Sequence, residues 1–153
     1  MKQEGKQFQY TEDGHLILLT PEERKLLITD LTARIEYGVI CMIDRVDDFG
    51  PRFRDEKLTG FCIEEDGCFY FDFGYGLTIP FAEKVKPYLR PMTSMNKEEM
   101  EHYHILMDSM ADTGISFLMD WLNKNHFDYR GLIPMGLALE APEGMYEDVS
   151  QNT

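Results

Sequence analysis

The sequence predicts an α+β domain: a small antiparallel SH3-like or curled β-barrel flanked by an N-terminal helix and a C-terminal helical pair. Three observations predict it. Apolar residues recur at helical spacing over 21–36 and again after Asn96; they alternate with period two between Val39 and Leu89; and close glycine turns cut that alternating stretch. The first helix is marked at both ends. Thr20 can cap the free amides, Pro21 suits the first helical position, and Glu23 can return a bond to the cap. Leu27, Leu31 and Ile35 share one face, and Gly38 can stop the helix in the left-handed conformation. His15–Leu19 reads as a short strand or an extended lead-in.

Within the β region Val39, Cys41 and Ile43 alternate, and Leu58–Ile63 reads as the next strand. Asp66-Gly67 marks a tight hairpin turn, because both residues tolerate positive φ. Phe69, Phe71 and Phe73 then fall on one face, with Tyr70 and Asp72 on the other. Gly74-Tyr75-Gly76 turns the chain again before Leu77, Ile79 and Phe81. Val85–Leu89 is a last short strand, which Pro87 should confine to an edge because it has no N–H for a ladder. The helical pair is expected over 97–111 and 114–124. Asn96 and Glu99 form a capping box, and Asp112-Thr113-Gly114 marks a break. Met100, Tyr103, Met107 and Met110 recur at helical spacing and read as core packing rather than a peptide groove. Residues 126–142 have neither period for long and should form an ordered loop. A single domain over 1–146 with an acidic tail at 147–153 follows.

Composition narrows the function. Of 153 residues 43% are apolar, a globular rather than a disordered balance. The net charge is −13, and residues 93–153 hold three basic against eleven acidic side chains. Phosphate-backbone binding rests on Lys and Arg displacing counterions, so nucleic acid is not an expected partner. No apolar run reaches the roughly 18 residues of a membrane span, and residues 1–10 lack the apolar core of a signal peptide. Cys41, Cys62 and Cys68 are odd in number and sit in apolar or strand-like surroundings. They read as buried free thiols in a reducing, cytoplasmic setting. No Cys-x-x-Cys is present to start a zinc site.

Three segments carry a resemblance: Asp30-Leu-Thr-Ala-Arg-Ile-Glu-Tyr-Gly-Val39, Val85-Lys-Pro-Tyr-Leu-Arg-Pro-Met-Thr-Ser-Met95 and Asp120-Trp-Leu-Asn-Lys-Asn-His-Phe-Asp-Tyr-Arg-Gly-Leu-Ile133. Together, in order and spacing, they resemble a family of small uncharacterised proteins of gut Bacteroidales genomes and their phages or mobile elements. The likeness covers most of 20–146. This chain departs from it in having Ile35-Glu36 where Leu-Pro is common, and Asn125 where a second His is common. The resemblance supports the fold reading and implies no activity.

Chemistry is sparse. Glu101-x-x-His104 with Asp108 has the spacing of a di-iron helix, but the second copy such a site needs is missing. Asp44, Asp47 and Asp48 lack the alternate spacing and distal Glu of a calcium loop. Arg45, Arg52, Arg54 and Lys57 are interleaved with acids and should pair within the chain. His126, Asp128, Tyr129 and Arg130 form the best constellation, as a candidate partner or ligand contact. No nucleophile elbow accompanies His126. Arg130, set among apolar residues and carboxylates, fits a loop anchor through a carboxylate or carbonyls. No cofactor, metal or catalytic residue is expected. The favoured reading is a non-enzymatic accessory protein that binds another protein. The alternatives are an acidic inhibitor or nucleic-acid mimic from a mobile element, and a small enzyme using His126 and Asp128. Duplex DNA and single-stranded RNA should give no gel shift at micromolar protein and physiological salt. A shift that fades with salt would instead make the 45–57 cluster a binding surface.

Overall fold

The structure is a computed structural model describing residues 8–48, 50–65, 67, 69–80 and 82–146. The expected tail at 147–153, Asp66, Cys68 and Phe81 lie outside the described residues. Helix α1, Pro21–Ala33, starts as its sequence requires: the Thr20 hydroxyl accepts from the Glu23 amide, and the Glu23 carboxylate accepts from the Thr20 amide. Its end tightens into a 3-10 turn, Ile35–Tyr37, and Gly38 closes it at φ +68°. Before the helix the chain is an extended lead-in with a single bridge, Tyr10 to Leu16.

The strands are β1 Ile40–Asp44, β2 Phe53–Lys57, β3 Gly60–Ile63, β4 Phe69–Asp72, β5 Thr78–Ile79, β6 Val85–Leu89 and β7 Leu139–Glu140. They do not close into the expected barrel. They divide into one sheet of order β2-β1-β6-β7 and a second of order β3-β4-β5. The meander breaks between β5 and β6, where a 3-10 turn, Ala82–Lys84, redirects the chain. Glu83 in that turn takes an ion pair from Arg24 and the Leu19 amide, so α1 fixes the break. β6 then pairs antiparallel with β1 and parallel with β7, so it lies inside its sheet and not at the edge that Pro87 suggested. The geometry explains the tolerance. Leu89 turns its carbonyl to Ala141 on the β7 side. Pro87, two residues earlier, faces the same side, where β7 has not yet begun, so its missing N–H costs no ladder bond.

Both sheets face one core, built from Leu27, Leu31, Val39, Cys41, Ile43, Leu58, Val85 and Leu89 together with Phe71, Phe73 and Ile79 of the second sheet. The alternation on β4 holds, with Phe71 and Phe73 buried and Tyr70 and Asp72 half-buried. Phe69, nearer the hairpin turn, is only half-buried. Of the cysteines, Cys41 is buried as expected, but Cys62 is exposed, because it lies opposite Tyr70 on the outer strand β3 and away from the core face. Helices α2 Lys97–Asp108, α3 Met110–Thr113 and α4 Ser116–Lys124 form the helical pair with a short joint. The methionine stripe is not all core: Tyr103 and Met110 pack with Leu118, Leu122 and Phe127, while Met100 and Met107 stay exposed. The cause is that α2 touches the body along one narrow row and buries no residue completely.

Candidate functional site

The predicted constellation lies where the exit of α4 meets α1. Asp30 lies in the last turn of α1 and Arg34, four residues on, caps its C-terminal end; both are fully buried. The Arg34 Nε and Nη2 donate to Asp30 at 2.9 and 3.1 Å, and Nη2 also donates to the Phe127 carbonyl at 2.6 Å. Arg130 Nη1 reaches the same carboxylate at 2.9 Å. It also donates to the Tyr129 hydroxyl at 2.8 Å, and that hydroxyl donates to Asn123 Oδ1 at 2.7 Å. The guanidinium groups of Arg34 and Arg130 lie 5.3 and 4.7 Å from the centre of the Tyr129 ring. Arg130 is therefore an anchor bonded to a buried carboxylate.

Asp128 turns inward on its own loop. Its two oxygens accept the amides of Leu132 and Ile133 at 2.8 and 2.9 Å, which shapes residues 128–133. Its own amide donates to the Arg90 carbonyl, while the Arg90 amide donates to the His126 carbonyl, so the loop is bridged to the end of β6. The Arg90 guanidinium stacks 4.2 Å from the centre of the Phe127 ring and grips Glu99 with both terminal nitrogens at 2.7 Å. The structure thus brings Tyr129 and Arg130 together with Asp30 and Arg34, but does not join His126 to Asp128.

His126 takes a left-handed conformation at φ +63° and is 2% exposed. Its ring stacks on Tyr146 with centroids 3.7 Å apart. Among the described residues neither ring nitrogen has a hydrogen-bond partner, and Arg34 Nη1 has none either. Burial, with the charges of Arg34 and Arg90 beside it, pushes the imidazole down from its ordinary 6.5 to about 3. It is a neutral ring at physiological pH. Tyr146 in turn works on the sheet. Its hydroxyl accepts the Ile40 amide at 2.9 Å and donates to the Tyr88 carbonyl at 2.8 Å, joining β1 and β6 just past the end of their ladder. Burial raises its pKa, which keeps the donor proton in place.

Two cavities of about 500 Å³ open on the described surface. One is lined by Cys62, Glu64, Glu65, Tyr70 and Thr78, the other mainly by Ile35–Gly38 and Lys57–Thr59; neither is lined by the four constellation residues. Among the described residues no three His, Cys, Asp or Glu side chains converge as metal ligands would. His102 instead stacks on Trp121 at 5.0 Å. The basic cluster is paired internally, Arg52 to Asp44 and Arg54 to Asp47, each at 2.7 Å. Sequence reasoning missed Asp30, Arg34 and Tyr146. The signal for the first two was an acid–base pair at i, i+4 interleaved with Leu27 and Leu31; Tyr146 left none. Comparison with protein-family models, curated proteins and solved structures finds no match.

Two outcomes test this geometry. Arg130→Ala should lower stability by about 1.5–3 kcal/mol, the value of hydrogen bonds to charged groups. Asp30→Ala should cost roughly 3–5 kcal/mol because it strands Arg34 in the interior. Urea midpoints at constant slope read both, and an unchanged midpoint for Arg130→Ala would remove its anchoring role. His126 sets a pH dependence. Its folded pKa lies below its unfolded one, so between 6.5 and about 3 the unfolded chain binds the proton. Stability should be full above 6.5 and fall on acidification, by at most about 1.4 kcal/mol per pH unit. Urea titrations of His126→Phe should show a flatter fall between pH 6.5 and 4.5.

Proposed function

We propose that this chain is a non-enzymatic accessory protein that acts by binding another polypeptide. The observation that carries this reading is the placement of its large apolar side chains. Phe61 and Ile63 stand 46% and 65% exposed on β3, and Ile105, Met107, Ile115 and Phe117 stand exposed where α2 hands over to α4. A single exposed apolar residue is ordinary, whereas neighbours on one face, as Phe61 and Ile63 are on β3, mark interaction surfaces. The polar constellation supports the same reading. Asp128, Tyr129 and Arg130 are bonded to the backbone, Asn123 and Asp30, and His126 is sealed beneath Tyr146. Array-like carboxylates, which an acidic mimic would use, have less support: Asp30, Asp44, Asp47, Glu83 and Glu99 are engaged by the chain's own arginines.

The test uses the tagged chain as bait in the cells that encode it, beside Phe61→Ser/Ile63→Ser and Ile105→Ser/Phe117→Ser. Ile105 and Phe117 are exposed, so the second variant should keep the parent stability to within about 0.5 kcal/mol; Phe61 stacks on Phe69, so the first should cost on the order of 1 kcal/mol and remain folded. A partner captured by the parent should be lost from one of the two. Capture that survives both changes would count against a surface of this kind.

A further inference from the structure

We infer that the outer edge of β3 accepts an extended, basic polypeptide segment as a fourth strand of the β3-β4-β5 sheet. This rests on the interaction reading above and names the partner's chemistry. Among the described residues β3 is hydrogen-bonded on one side only, to β4, and residues 61–63 are all exposed. Sheet edges are ordinarily blunted by charges, proline, bulges or a covering element, because their free amides and carbonyls invite another strand. The two sheets differ in this respect. The outer strand of the larger sheet, β2, reads Phe-Arg-Asp-Glu-Lys, four charges in a row. β3 reads Gly-Phe-Cys-Ile, with neither charge nor proline.

The two faces of the edge specify the occupant. On one face Phe61 stacks on Phe69 at 4.9 Å, and Ile63 stands opposite Phe69 in the ladder, so this apolar row continues from the core out to solvent. On the other face Cys62, Glu64, Glu65, Tyr70 and Thr78 line a cavity of about 500 Å³. The chain has no lysine or arginine between Lys57 and Lys84, while Glu64, Glu65, Asp66 and Asp72 fall there. Arg45 does enter from the other sheet, but it meets the Thr78 carbonyl on β5, at the far edge. An added strand alternates its side chains between these faces. The complementary strand therefore carries apolar residues at one parity, over Phe61 and Ile63, and basic residues at the other, beside Glu64 and Glu65. A second copy of this chain fits poorly, since it sets the same carboxylates against themselves at −13 per molecule.

The probe is a blocked seven-residue peptide alternating lysine and valine, titrated against the full chain by isothermal calorimetry and by amide exchange. The expected result is one-to-one binding with protection gained at residues 60–63. Replacing the central valine of the peptide by proline keeps the charge and removes a strand N–H; affinity should fall at least tenfold. Ile63→Lys, which supplies the missing edge charge, and Glu64→Lys/Glu65→Lys should each do the same. Equal affinity for the proline peptide, protection on α2 instead of β3, or no binding would overturn the inference. So would protection at 60–63 that rises with protein concentration in the absence of peptide, which would make the occupant a second copy. A failed peptide beside a bait partner lost from Phe61→Ser/Ile63→Ser would overturn the basic-strand partner alone. Bait capture untouched by either surface variant would sink the interaction reading itself.

Discussion

One buried carboxylate ties helix α1 to a loop a hundred residues further along the chain. Asp30 has no contact with solvent, and it is shared between Arg34 of its own helix and Arg130, a hundred residues further on. Taking such charges out of water is expensive, and only close, complete pairing makes it tolerable. Here the pairing is extended by backbone: Arg34 also holds the Phe127 carbonyl, and Arg130 holds the Tyr129 hydroxyl that is bonded to Asn123. The helix, the exit of α4 and the following loop thus meet at one buried polar node. Ion pairs of this kind add little net stability over a hydrophobic substitute, but they penalise every arrangement that separates the partners. The node bonds Asp30 and Arg34 to Phe127 and Arg130 in the segment 123–133.

The same commitment shapes what the protein offers to its surroundings. Polar residues gathered in one place usually raise the expectation of chemistry. In this chain they are spent on geometry: Asp128 on two loop amides, Arg90 on Glu99 and the Phe127 ring, and His126 on the Tyr146 ring. The two outer strands contrast in composition: β2 carries four charges and β3 carries none.

Much of the local structure was legible because its causes are local. Thr20 with Glu23, and Asn96 with Glu99, announce helix starts within four residues, and both boxes form. The alternation from Phe69 to Phe73 announces a strand with one face inward. What was illegible depends on partners distant in sequence. β2 is strand only because β1 lies beside it, for a run of Arg-Asp-Glu-Lys has no apolar period. β7 is two residues long and exists through Tyr88 and Leu89. The division into two sheets, and the interior place of Pro87, follow from a turn that Arg24 pins from 59 residues away. At the candidate site Arg130 was legible as an anchor, since a lone cation among apolar residues needs a carboxylate. Which carboxylate it takes was not, because Asp30 looks like half of a solvated i, i+4 pair.

The hydroxyl of Tyr146 has a consequence for how this protein is made. It completes the seam between β1 and β6 by bonding Ile40, 106 residues earlier, and its ring covers His126. Ribosomes deliver the chain from the N-terminus, and domains close as their parts emerge. α1, β1 and β2 therefore leave the ribosome with their charged node half built and one seam open, and they wait until Arg130 and Tyr146 have been made. For that interval the nascent chain carries Arg34 without its full set of partners. The last turn of the described chain is the one that shuts the molecule.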